Sequence, residues 1–185
     1  TSPGDIILSP NPSYPIHPYG FIIAGASLRH LPAMDEGVFN PNLYLERLDR
    51  SIRESVPAPV ALIVSFPSNP TAQVASIDFY EEVVKIALKY GTYILSDLAY
   101  AEIYYDGNVP PSILQVPRAK EVAVEFTSMS KTYAMAGWRI GFAVGNKKLI
   151  SALTRIKSYL DYGAFTPVQV AAVTALNGPQ NCVDE

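Results

Sequence analysis

Val60-Ala61-Leu62-Ile63-Val64-Ser65 is an uninterrupted apolar run, followed by Phe66-Pro67-Ser68. A strand that is apolar on both sides must be covered on both sides, which is the situation of a parallel strand inside an α/β sheet. Outward from it, Ser76 to Tyr90 carries Phe79, Val83, Ile86 and Ala87 on one stripe. Ser76 can cap the start and Gly91 the end, so the segment reads as an amphipathic helix. Thr92 to Ser96 then reads as a second short strand. Strand, helix and strand joined by tight turns form a right-handed crossover unit.

The same pattern extends in both directions. Asp5 to Ser9 reads as a buried strand ended by Pro10-Asn11-Pro12, Pro18 to Ala26 as an apolar helix, and Ser27 to Pro32 as another strand. Asn42 to Glu54 spaces Leu43, Leu45, Leu48 and Ile52 among charges, a surface helix with Asn42 as its cap, and Pro57 to Pro59 breaks it. Beyond the crossover unit, Glu121 to Phe126 and Ile140 to Val144 read as strands. Asn146 to Tyr159 and Thr166 to Asn177 read as helices, the second ended by Gly178-Pro179. With no internal repeat and no low-complexity linker, the expectation is one domain: three-layer α/β, a mostly parallel sheet with helices on both faces.

Composition narrows the function classes. The chain has 185 residues, 49% hydrophobic and 17% charged, with a formal charge of -3. That is an ordinary globular balance, and it lacks the basic surplus of a nucleic-acid binder. A single cysteine, Cys182, excludes an intramolecular disulfide, and His17 and His30 share no metal-ligand spacing with it, so both histidines read as structural and no metal is expected. No apolar run approaches the ~18 residues that cross a bilayer. The expected setting is cytoplasmic. Thr1-Ser2-Pro3-Gly4-Asp5 reads as a turn between a helix and a strand, so the chain is expected to be part of a longer polypeptide.

In sheets of this kind ligands sit outside the carboxyl ends of the strands. Three groups fall there. Ser128-Met129-Ser130-Lys131 sets an amine beside two hydroxyls, and Arg139 follows eight residues after the lysine. Asp97-Leu98-Ala99-Tyr100 offers an acid and a phenol, and Asn69-Pro70-Thr71 an amide. An amine with hydroxyl and guanidinium neighbours suits an aldehyde that carries a phosphate. An acid, a phenol and an amide are the partners of a pyridine ring with a phenolic oxygen.

Together these groups resemble the cofactor site of pyridoxal-phosphate aminotransferases of fold type I, class I/II. The runs from Asn11 to Pro32, Phe66 to Ala72 and Asp97 to Glu102 are most similar to the branch containing alanine and LL-diaminopimelate aminotransferases. The resemblance implies pyridoxal 5'-phosphate as cofactor and Lys131 as the catalytic residue, acting through an aldimine. It implies Asp97 at the pyridine nitrogen, Tyr100 and Asn69 at the phenolic oxygen, Ser128 and Arg139 at the phosphate, and Tyr14 stacked on the ring. The implied activity moves an amino group between an amino acid, alanine or glutamate, and a 2-oxo acid, in a homodimer when full length. Residues 1–185 would form the partial cofactor-binding large domain. The glycine-containing phosphate loop, the substrate-carboxylate arginine of a small domain and a partner's tyrosine would lie outside it, which would leave the isolated chain inactive. A lyase or synthase using the same cofactor, or the sensor domain of a transcriptional regulator, are the alternative readings.

Overall fold

A computed structural model describes residues 1–184. Six strands form one sheet in the order β2-β1-β5-β6-β7-β8, with β1 Ile6–Asn11, β2 Ser27–Pro32, β5 Ala61–Ser65, β6 Tyr93–Asp97, β7 Ala123–Ser128 and β8 Gly141–Gly145. All neighbours run parallel except β7 and β8, which are antiparallel. A two-stranded hairpin, β3 Met34–Asp35 with β4 Val38–Phe39, stands apart from this sheet. The helices are α1 Ile16–Ile23, α2 Pro41–Glu54, α3 Ile77–Tyr90, the single turn α4 Met129–Thr132, α5 Lys147–Leu160, α6 Thr166–Asn177 and α7 Asn181–Asp184.

The mostly parallel architecture expected from Val60 to Ser65 holds, and every residue of β5 is buried. Alternation along the strands divides the core. Ile6, Leu8, Leu62, Val64, Ile94 and Ala123 face the layer made by α2, α3 and the 3₁₀ turns at 113–121, which forms the largest apolar cluster. Ile7, Ala61 and Ile63 face the other way, with Phe21 of α1 packed on them.

Several boundaries differ from expectation, each for a local reason. β1 runs on through Pro10 and Asn11, pairing there only with β2. Its other side is free past Leu8, so the missing N–H of Pro10 interrupts no ladder. α2 is capped by Asn40 rather than Asn42, its side chain accepting from the Leu43 N–H, because Pro41 fits the first helical position. α1 starts two residues early and stops at Ile23, since Gly25 takes a positive φ of 85° in the turn to β2. Glu121 belongs to a 3₁₀ turn, so β7 begins at Ala123 and reaches Ser128. α3 matches its expected span with Ser76 as cap and Gly91 in the left-handed region.

The antiparallel β8 is the main topological departure. Between β7 and β8 the chain makes only the short α4 and a 3₁₀ turn at Ala136–Trp138, without the crossover helix a parallel return uses. Gly141 permits the close approach: a Cβ there would lie 2.6 Å from the Thr127 carbonyl oxygen.

Candidate functional site

The parallel strands β1, β5, β6 and β7 all end at one rim, and each delivers functional groups at or just beyond its last residue. Asp97 is the last residue of β6 and lies on the α1 side of the sheet. Its Oδ2 is 2.8 Å from His17 Nε2, and its Oδ1 accepts the Ala99 N–H at 3.2 Å. An ionised carboxylate only accepts, so the imidazole donates from Nε2. His17 is buried, and the ring edge of Tyr14 packs on it with centroids 5.9 Å apart.

On the next strand ends, Asn69 Nδ2 lies 3.5 Å from the Tyr100 hydroxyl oxygen. The Lys131 Nζ stands 5.8 Å from the centroid of the Tyr100 ring. Ser128 caps α4, its Oγ accepting the Ser130 N–H at 3.1 Å. That leaves the hydroxyl proton free to donate. Arg139 closes the 3₁₀ turn in the left-handed region, φ 52°, with one guanidinium nitrogen donating to the Ala136 carbonyl at 2.9 Å and its remaining N–H groups unspent. A non-glycine residue held there is backbone strain of the kind that clusters at functional sites.

All seven expected residues therefore lie around the one rim: His17 links Tyr14, by a ring contact, to Asp97, by a hydrogen bond, and Asn69 pairs with Tyr100 beside Lys131. Ser128 and Arg139 flank the lysine. Tyr100 follows Asp97 through a turn, and Lys131, on α4, is exposed. One sequence reading is corrected. His17, read from sequence as structural, is the direct partner of Asp97. The signal available for it was its position three residues after Tyr14, across the turn that leads into α1, where the His17 N–H donates to the Tyr14 carbonyl at 3.0 Å.

The donor set fits an aldehyde cofactor that carries a phosphate. A primary amine is present for the aldehyde, a hydroxyl and a guanidinium for the phosphate. The carboxylate, already oriented by an imidazole and a backbone N–H, keeps acceptor capacity for a protonated ring nitrogen.

The mostly parallel sheet with its helices is that of fold type I aminotransferase structures: aspartate aminotransferase from Thermus thermophilus with maleate matches with a TM-score of 0.87 at 30% identity, over 100% of this chain and 46% of that one. The chain belongs to the aminotransferase class I and II family, whose model matches residues 1–185. It is 59% identical to glutamate-pyruvate aminotransferase AlaC of Escherichia coli (strain K12), over 97% of this chain and 42% of the relative. It is 45% identical to LL-diaminopimelate aminotransferase of Aquifex aeolicus (strain VF5), over 100% of this chain and 46% of the relative. The chain thus spans under half the length of these relatives. Among the described residues no helix is long and apolar enough to cross a membrane, and no cluster of His, Cys, Asp and Glu could hold a metal ion.

Proposed function

We propose that the protein is a pyridoxal-phosphate-dependent aminotransferase that moves an amino group between a small amino acid, alanine or glutamate, and a 2-oxo acid. The observation that carries it is the convergence on one rim of Lys131, the Asn69–Tyr100 pair and the His17–Asp97 pair. The 59% identity to a glutamate-pyruvate aminotransferase supports the substrate class. Both curated relatives named above are aminotransferases, which favours amino transfer over a lyase, synthase or sensor role.

Pyridoxal phosphate, when bound, supplies an electron sink for the charge left at the amino acid's Cα. The chain's residues prepare and steer that chemistry. Lys131 Nζ would hold the cofactor's aldehyde and is the amine placed to move the proton at the substrate's Cα. The Asp97 carboxylate keeps a proton on the ring nitrogen, and His17 fixes the carboxylate's direction. Tyr100 and Asn69 donate hydrogen bonds to the phenolic oxygen. Ser128 and Arg139 would hold the phosphate, through the hydroxyl and the charge of the guanidinium. Tyr14 orients the ring from one face. Residues 1–184 act as the cofactor-binding domain in this reading, with Glu185, the last residue of the expected span, outside the described residues. A homodimer when full length belongs to the same reading and rests on the family resemblance, and a cytoplasmic setting is proposed with it.

The test is chemical trapping. Protein incubated with pyridoxal phosphate and reduced with borohydride should carry the phosphopyridoxyl adduct on Lys131, identified by peptide mass. Lys131→Ala should carry none at that position. A wild-type protein that traps nothing, or traps it equally on other lysines, rejects the assignment.

A further inference from the structure

Glu125 is a buried carboxylate that the chemistry above does not use. It is 5% exposed and lies in mid-β7, registered opposite Ser96 of β6. Its side chain faces the α3 layer, across the sheet from Asp97. It accepts three hydrogen bonds: from Ser96 Oγ at 3.1 Å, from Ser112 Oγ at 2.6 Å and from the Ile113 N–H at 3.1 Å. Among the described residues no cation forms an ion pair with it; its partners are neutral. Taking a charge out of water without a counter-ion is costly, and an apolar side chain of similar size would avoid that cost. What an apolar residue could not do is hold these three donors together.

The donors come from two places in the chain. Ser96 is the residue before Asp97. Ser112 and Ile113 open the 3₁₀ turn at 113–115, where Ser112 also completes a capping box with Gln115 and Ile113 is fully buried. One carboxylate therefore ties both feet of the segment 97–111, which carries Asp97 and Tyr100. The Leu98 N–H still donates to the Phe126 carbonyl of β7 at 2.9 Å, and beyond it the backbone hydrogen bonds of the segment are local, Ile103 to Tyr100, Asn108 to Tyr105 and Val109 to Gly107. Residues 102–109 are exposed. Past Leu98, the side-chain contacts of Tyr100 with Asn69 and Lys131 are what meet the chain between the two feet.

We propose that Glu125 is a positioning residue: it closes the loop that leaves β6 after Asp97 and thereby holds the phenol of Tyr100 at the rim. The clamp itself follows from the three hydrogen bonds. Its consequence for the cofactor rests on the reading given under Proposed function, so the experiment keeps the two apart.

Hydrogen exchange of the peptide 98–112 reads the clamp without any cofactor, and titration with pyridoxal phosphate reads the rim. Glu125→Gln can keep all three bonds, because its carbonyl oxygen can take the Ile113 N–H and the Ser96 hydroxyl while its amide donates to Ser112 Oγ. It should resemble wild type in both measurements. Glu125→Leu leaves the three donors without their acceptor, two of them on the buried residues Ser96 and Ile113, and should raise exchange across 98–112 about tenfold, with α3 unchanged, and weaken pyridoxal phosphate binding by a similar factor. Ser112→Ala removes one foot and should give a smaller rise in exchange at the same peptide. Unchanged exchange at 98–112 in Ser112→Ala overturns the clamp, and that variant decides the matter if Glu125→Leu does not fold. Exchange in Glu125→Gln as fast as in Glu125→Leu overturns it too. If wild-type protein fails to bind pyridoxal phosphate, the cofactor reading falls, and the exchange measurements still judge the clamp.

Discussion

At the scale of single residues, the rim depends on contacts that a linear pattern shows only in part. Lys131, Asp97 and Arg139 are conspicuous in sequence because a charge placed just beyond an apolar strand needs a partner. His17 is not, because its partner is 80 positions away and on another element. Removing it tests how much Asp97 relies on it. His17→Phe keeps an aromatic ring against Tyr14 but takes away the donor at 2.8 Å. Hydrogen bonds to charged groups contribute about 1.5–3 kcal/mol, so pyridoxal phosphate affinity should fall about ten- to a hundredfold while the fold survives. Equal affinity in the variant would mean that the Ala99 N–H alone orients Asp97. Glu125 was illegible for the same reason as His17: in sequence it is one polar residue in an apolar strand, and its three donors arrive from elsewhere.

At the scale of elements, α2 and α3 read clearly because each repeats apolar residues at helical spacing, and the Ser76 cap was correct. The α2 cap was missed by two residues because Asn40 and Asn42 both flank Pro41, and only the proline's place at the first helical position separates them. What sequence could not show is how the two helices are joined. Asp49 of α2 accepts from Lys89 at 3.0 Å and from the Tyr90 hydroxyl at 2.9 Å at the end of α3. The hydrogen bond from Lys89, then that from Tyr90, holds the Asp49 carboxyl below its ordinary value of 3.8. A lowered folded value means this contribution is fully present above the unfolded value and is lost as pH falls from there through the folded one. The group is partly open to solvent, so the contribution is about 1 kcal/mol or less. Asp49→Asn should therefore lower the urea midpoint at pH 7 slightly, and the gap to wild type should close below about pH 4. A gap that stays constant down to pH 3 would assign the effect to packing rather than to charge.

At the scale of the whole molecule, the two faces of the sheet are unequally covered. The α2–α3 face carries the largest apolar cluster, with Tyr44, Leu48, Tyr80 and Val83 essentially inaccessible. α5 was legible as a helix, because Leu149, Leu153 and Ile156 recur at the right interval, yet no residue of it is buried, and Ile156, Tyr159 and Leu160 stand exposed. Periodicity reports which face of a helix is apolar, but not whether anything in the same chain covers it. Local opening requires breaking only the contacts an element makes, so protection should be graded across the molecule. Amides of α3 and β5 should exchange only at the cost of global unfolding. Those of α5, held mainly by the Asn146 side chain accepting from Lys148 and Leu149 and by contact with β8, should exchange orders of magnitude sooner in native conditions. Hydrogen exchange at several protein concentrations measures this directly. α5 should remain the faster element at the lowest concentration, and a helix as protected there as α3 would show that its few contacts with β8 suffice to join it to the cooperative core.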